Sequence, residues 1–545
     1  MATRHLHHVD CPGKAILQIC RHYRAELNPD LPRITVPHNI VKNMQKMMTK
    51  KAIEKAQQNR KPVFKSPLII SCKRPEFNHH LGQTYSSFNP KHLASYGWKH
   101  RKSHGDHFTI LPYEPNPSWL SVSQRFEDLG VSSAVADGLK SIGISQPTRI
   151  QEITVPKILK GHCVMSAAET GSGKTLAYLT PLIELIHRHG QVTDRSTPSW
   201  KNSPQAIIVV PTRELADQIM GVAQSLSEVI PFKVQSYCGG RGTKAKLNWP
   251  EIRGMDILIS TPGVLRKLLS RNIIRRGSLR HLVLDEMDTL MDDSFSGEII
   301  DIIKKLQVTA GESSGNNVYV STSTQVILVG ATVPRGLSEI LNDVFPVEAF
   351  HKATTDHVHR LMPHVSQKFI RLRPSSKPEN ILRLSKQSIL KSIPTLIFCN
   401  KTTTCSWLTR FLDASDVDNM FMSGFLTEKS RAGRFESFQN GEHNILVCTD
   451  IASRGLDTLR VERVINYECP DFMSDYIHRS GRAGRVGAGS PGHVVSFVSH
   501  PWEVDLINKI EVAARRMTDL HNVNANIKRK LVSSYEAKHG MGPDE

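Results

Sequence analysis

"CVMSAAETGSGKT", Cys163 to Thr175, is the stretch on which the fold turns. A short apolar run ends in small residues, a glycine-rich turn follows, and a helical segment begins at its end. Strand, glycine turn and helix in that order aim backbone N–H groups and a helix N-terminus at one point, an arrangement suited to phosphate. Glu169, Thr170, Gly171, Ser172, Gly173, Lys174 and Thr175 fit the phosphate-binding loop pattern, with Ala168 standing where that pattern begins with glycine. Lys174 is placed to reach the outer phosphates of a nucleotide and Thr175 to hold Mg²⁺.

Outward from this turn the same texture repeats. "AIIVVP", "DILIST", "HLVLD" and "QVILVG" read as strands alternating with helices. The stretch His351–His364 interrupts them, and a second series follows with "TLIFCN", "NMFMSG", "NILVCTD", "RVINYE" and "HVVSFV". The pattern predicts an α/β chain of two similar parallel-sheet domains. Their expected bounds are 119–353 and 365–516, joined by a linker at 354–364. A basic extension at 1–118 precedes them and a polar, basic tail at 517–545 follows. Polar residues stand after most strands, and ligands in such sheets bind beyond the strand carboxyl ends.

"LVLDEMD" supplies a second cluster. Adjacent carboxylates after a buried strand are costly unless they serve something. Asp285 is placed to hold Mg²⁺ through its water shell, and Glu286 to orient or deprotonate an attacking water.

Composition limits the alternatives. The 545 residues are 39% hydrophobic, enough for packed cores, and no apolar run is long enough to predict a membrane span. Nine cysteines without a CxxC pair predict a reducing compartment, with no disulfide framework and no zinc finger. The net charge is +19, and residues 1–112 hold 19 Lys+Arg against 6 Asp+Glu. A basic segment of this kind suits a polyanion such as nucleic acid, so it is expected to supply non-specific affinity. Within it, "IVKNMQKMMTKKAIEKAQ" has the spacing of a helix.

The ordered set of motifs resembles the DEAD-box RNA helicases over about residues 126–505. The resemblance implies two tandem RecA-like domains, ATP and Mg²⁺ as cofactors, RNA as partner and a monomeric core. "GISQPTRIQ" is similar to the family's Q motif, which implies that Gln151 reads the adenine edge and that Phe126 stacks on the base. Pro211, Thr212, Arg213, Gly239, Gly240, Thr261, Gly263, Gly424 and Thr449 match positions that touch the RNA backbone. "TDIASRGLD" and "HRSGRAGR" imply nucleotide contacts from Gly455 and Asp457 and arginine fingers at Arg482 and Arg485. Asp288, Thr332 and His478 match the residues that couple the two domains. Lys174, Asp285 and Glu286 complete the implied catalytic set.

Three positions depart from the family pattern. Met287 replaces an alanine in the acidic tetrad, which reads as a packing change. Gly330 replaces a serine that faces Asp288, so a hydrogen bond serving strand separation is expected to be missing. Its loss favours, as an alternative, an ATP-gated RNA clamp with little strand separation. Val264 replaces an arginine and removes an expected phosphate contact. The flanks "ASYGWKHRKSHGDHFTI" and "HPWEVDLINKIEVAARR" resemble a mitochondrial branch of the family associated with the large mitoribosomal subunit. That likeness implies the mitochondrial matrix and ribosomal RNA in assembly intermediates. Composition alone leaves nucleus, nucleolus or cytosol open.

Overall fold

The computed structural model describes residues 66–114, 124–192, 202–239, 254–307, 324–423, 428–450, 460–485 and 491–520, less a few positions inside these spans, with short pieces elsewhere. Ser66–Glu545 make one compact unit. The helix expected around Val41–Gln57 lies outside the described residues apart from Lys42 and Met47.

Among the described residues eighteen strands are numbered in chain order, three of them from the N-terminal region: β1 Leu68–Cys72, β2 His79–His80 and β3 His107–Ile110. In the first domain lie β4 Val164–Ala167, β5 Ala206–Val209, β6 Val234–Tyr237, β7 Ile257–Ser260, β8 His281–Leu284, β9 Gly311–Glu312, β10 Val318–Tyr319, β11 Gln325–Gly330 and β12 His351–Thr354. In the second lie β13 Ser366–Arg371, β14 Thr395–Phe398, β15 Met420–Met422, β16 Ile445–Cys448, β17 Arg463–Asn466 and β18 His493–Val498.

The first sheet has seven strands in the order β12-β4-β11-β8-β5-β7-β6, all parallel. Its strands are apolar on both sides because helices cover both faces. Ile207, Val209, Leu282 and Leu284 point into one core, and Ala206, Ile208 and Val283 into the other. Every strand read from the sequence in this domain is present. The strands β6 and β12, less uniformly buried, were not anticipated.

The second sheet has nine strands, in the order β15-β16-β14-β17-β18-β13-β3-β1-β2. Its first six are parallel. The last three come from the N-terminal region and pair antiparallel, β3 against β13 and β1 against β3. Part of the segment assigned to the basic extension at 1–118 joins this sheet: residues 66–114 are an annex of the second domain. The reason is apolar burial. Ile69, Ile70, Trp98, Phe108 and Ile110 are at most 3% exposed and pack with Phe369 and the helix Glu503–Arg516.

A buried ion pair fastens the annex. Glu511 accepts hydrogen bonds from the Ala94 and Ser95 amides and the Ser95 hydroxyl, at 2.8, 2.9 and 2.6 Å. Arg515 donates to Glu511, to the Phe77 carbonyl and to the Tyr85 hydroxyl. Removing residues 66–112 would strip this sheet edge, so an RNA role of the basic segment has to be tested upstream of Ser66.

The linker and tail are also tied down. Thr354 belongs to β12, the Val333 amide donates to the His359 ring, and the Leu520 amide donates to the His359 carbonyl. The tail beyond Val523 lies outside the described residues.

Candidate nucleotide and nucleic-acid site

The loop after β4 closes over a cavity of ≈ 370 Å³ at the junction of the two domains. Its lining includes Thr170, Gly171, Gly173, Lys174 and Thr175 from the first domain and His478, Arg482 and Arg485 from the second. Gly171 and Gly173 have φ of +82° and +88°, the left-handed region that favours glycine. A Cβ at Gly171 would lie 2.9 Å from the Arg485 side chain, and one at Gly481 only 1.4 Å from the Thr170 hydroxyl. Glycine at these points lets the second domain's basic turn seat on the phosphate loop.

Lys174 is folded over that loop, its Nζ donating to the carbonyls of Ala168 and Glu169 at 2.9 and 2.8 Å. Burial lowers its pKa, against the opposing pull of Glu169 and Asp285. Burial raises that of Asp285, with Glu286 adding to the shift. Asp285 Oδ2 accepts a hydrogen bond from the Tyr178 hydroxyl and Oδ1 one from the Glu286 amide, both at 2.8 Å, and Asp285 and Glu286 both line the cavity.

Glu286 is the outlier of the site. Its φ of +51° is uncommon for a residue with a side chain and carries about 1–3 kcal/mol of strain. Among the described residues its Oε2 is buried without a hydrogen-bond partner. A carboxylate oxygen held in this way, beside a lysine and facing arginines, is poised to take a proton from water at a phosphate.

Asp288 forms the seam between the domains. Its Oδ2 accepts from the Thr332 amide, the Thr332 hydroxyl and His478 Nε2 at 3.0, 2.7 and 3.0 Å. Asp288 and His478 are each 2% exposed. Arg431 and Glu214 form a second link across the domains at 2.7 Å.

The DEAD/DEAH box helicase profile matches residues 148–340, and the helicase conserved C-terminal domain matches 376–487. The chain is 41% identical over 472 residues to the mouse protein named probable ATP-dependent RNA helicase DDX28, covering 85% of this chain and 86% of that one. It is 39% identical to the human DDX28 protein over 477 residues, with coverage of 85% and 87%. Among solved structures it is similar in fold to S. cerevisiae Dbp5 bound to RNA and ADP BeF3, with a TM-score of 0.58, 21% identity, and 76% of this chain and 99% of that chain covered.

The chain belongs to the DEAD/DEAH box helicase family. It is an ATP-dependent RNA helicase of the DEAD-box type. Among the helicase's described residues no helix is long and apolar enough to cross a membrane.

The structure places both residues expected at the base in the first domain. Phe126 is 2% exposed and packs in the first domain's core with Leu129 and Val131. Gln151 is also 2% exposed, and its amide is already engaged. Its oxygen accepts from the Thr148 amide at 2.9 Å, and its nitrogen donates to the Gly173 carbonyl at 3.0 Å. Gln151 is thus a brace on the phosphate loop.

The RNA-motif positions gather on one edge. Pro211 and Thr212 follow β5, Gly239 follows β6, Thr261 and Gly263 follow β7, and Thr449 follows β16, all at carboxyl ends. Gly240, Gly424, Gly455 and Asp457 lie outside the described residues.

The departures also gain a physical reading. A Cβ at Gly330 would lie 3.0 Å from Met287 Cγ and 3.0 Å from the Thr332 carbonyl. The Met287 side chain therefore occupies part of the space that a side chain at position 330 would need. Val264 is 6% exposed in the first core, a site for an apolar side chain. Sequence reading missed one buried group, Arg479. It is 1% exposed and holds Asp450 through two bonds of 2.6 and 2.7 Å. Its place inside "HRSGRAGR" was the available signal.

Proposed function

We propose that ATP hydrolysis takes place in the cavity between Lys174 and Arg482, driven by RNA bound along the strand carboxyl ends. The observation that carries this reading is the partnerless Glu286 oxygen in a cavity lined by cations from both domains. Lys174 binds the outer phosphates and Glu286 orients and deprotonates the attacking water. Arg482 and Arg485 neutralise charge that develops on the transferred phosphoryl group, which suits a planar, multiply donating guanidinium. Thr175 and Asp285 offer the oxygen donors a hard cation prefers, and are the residues to hold Mg²⁺. Such an ion supplies neutralisation of phosphate charge.

Since the acid and the fingers sit on different domains, turnover requires closure. RNA contacts at Pro211, Thr212, Arg213, Gly239, Gly240, Thr261, Gly263, Gly424 and Thr449 draw on both sheets. Binding of RNA therefore favours the closed form, which couples the two ligands. Asp288, Thr332 and His478 report closure through the seam. The alternative of an ATP-gated RNA clamp with little strand separation rests on Gly330, and a duplex-release assay on a short RNA beside ATPase rates separates the two readings.

The target we propose is ribosomal RNA in assembly intermediates of the large mitochondrial ribosomal subunit, in the matrix. What supports it is the likeness of the two flanks, which lie far apart in the chain and contact one another in the annex. Crosslinking the protein to RNA in cells and sequencing the bound fragments tests it. Fragments drawn mainly from nuclear or nucleolar transcripts would reject the mitochondrial target and leave the ATPase chemistry standing.

A further inference from the structure

The same two flanks present a surface that the hydrolysis chemistry does not use. β18 runs parallel to β13, and the turn Ser499–Trp502 leaves its carboxyl end. β3 runs antiparallel to β13, with His107 beside Ile370, so the segment Tyr96–Asp106 reaches the same end of the sheet. The bond from the Gly105 amide to the Arg371 carbonyl, 2.8 Å, fixes it there. This is the edge on which Thr449 lies, roughly 15–25 Å away by strand spacing.

The exposed groups on this face have one character. Trp502 is 68% exposed and Tyr96 50%. The Trp502 ring stacks on His500 at 4.2 Å with the planes 9° apart. It is held in place: Glu503 accepts hydrogen bonds from the Ser499 and His500 amides, fixing the turn. Arg101 and Lys102 are exposed in the annex loop, and Arg373 is exposed just beyond β13. Their closeness is felt at His104, whose pKa is lowered first by burial and then by Arg371, Arg373 and Arg101. The exposed carboxylate of Asp505 is paired with Lys99 at 2.8 Å, a bond that joins the two flanks, and Asp106 lies 3.4 Å from Arg74.

A rigid, solvent-facing aromatic among guanidinium and ammonium groups fits an unpaired base and its phosphates. A protein-binding face would be expected to place apolar residues together at its centre, with charge at the rim.

We propose that this face is an accessory platform for single-stranded RNA, on which a base stacks on Trp502 and phosphates lie against Arg101, Lys102 and Arg373. The proposal rests on the RNA-dependent activity of the core and extends its RNA path along the second sheet. It gives the annex a purpose beyond covering an edge: residues from both ends of the helicase chain are needed to build the platform.

The test uses the full chain, oligouridylate and a salt titration, with three variants. Trp502→Ala should weaken nucleotide-free RNA binding about 5-fold or more, the range of a lost base–aromatic stack. Trp502→Phe should retain most of the affinity. The Arg101→Ala/Lys102→Ala pair should flatten the slope of log affinity against log salt by roughly 1.4 units, two phosphate contacts on a single strand. ATPase at saturating RNA should be unchanged in all three. Unaltered affinity and slope in folded variants whose ATPase still responds to RNA would overturn the platform and point to a protein face. Failure of the unmodified chain to respond to RNA would overturn the core activity and the platform together.

Discussion

The two sheets of this helicase begin from one plan and end differently. In the first, seven parallel strands run from β12 to β6. In the second, six parallel strands give way to three antiparallel ones taken from the far side of the first domain in the sequence. The parallel parts are local constructions, each strand packed by a helix that adjoins it in the chain. The annex depends on contacts between residues more than 400 positions apart, such as Ala94 with Glu511. A boundary drawn along the sequence therefore separates what the fold joins. The chemistry lies where the sheets agree, and the unusual surface lies where they differ.

The sharpest test of the agreement is to remove one reactive group from each sheet. Arg482→Ala should lower RNA-stimulated ATPase about 10³–10⁵-fold, the loss typical of an arginine finger. Glu286→Gln should nearly stop turnover while ATP and RNA still bind, because the group lost activates water. Single-turnover phosphate release measures both. A loss of only a few-fold from either variant would mean that the cavity is not shared between the domains as described.

The difference between the sheets predicts where stability is lost. Trp98 is fully buried under the annex, so Trp98→Ala should destabilise by about 3–5 kcal/mol. Glu511→Ala breaks a buried ion pair and should have an effect of about the same size. Calorimetry should show the second domain's transition fall while the first domain's holds. If both transitions moved together, the annex would not belong to the second domain alone.

How much could be read in advance follows the same division. Strands buried on both faces, such as "AIIV" and "HLVL", announce themselves as continuous apolar runs, and the glycine turn and acidic pair are tied to them by short spacing. All of these were legible, as was the trio Asp288, Thr332 and His478. β1 and β3 are short and only partly buried, with patterns that any basic loop region could carry. Their pairing with β13 depends on contacts across the whole chain. For Gln151 and Phe126 the motif and the burial carry different information. A motif fixes which residue is present, whereas burial decides whether its polar or flat face is available to a ligand. Gly330 shows the limit most clearly. Read alone it was a missing hydroxyl; only its distance to Met287 reveals that the two positions are one packing unit.

That unit gives the smallest effect and the finest comparison, since it lies wholly within the first domain's core. Gly330→Ser alone should destabilise by about 1–3 kcal/mol, because the added Cβ meets Met287 and the Thr332 carbonyl at 3.0 Å. Met287→Ala alone removes a fully buried side chain and should also destabilise, with little change in ATPase. The double variant should lose less than the sum of the two, by about 0.5–3 kcal/mol, the coupling typical of residues in direct contact. Denaturant unfolding of the four proteins measures it. Additivity within experimental error would show that the methionine and glycine are independent. The same cycle addresses function. Asp288 Oδ2 already accepts three hydrogen bonds and its Oδ1 accepts the Thr289 amide. A serine hydroxyl restored beside it therefore has little left to satisfy, and duplex release per ATP hydrolysed should match that of the unmodified helicase. A clear gain in the double variant would mean that the seam is under-bonded during turnover, and that Gly330 limits strand separation after all.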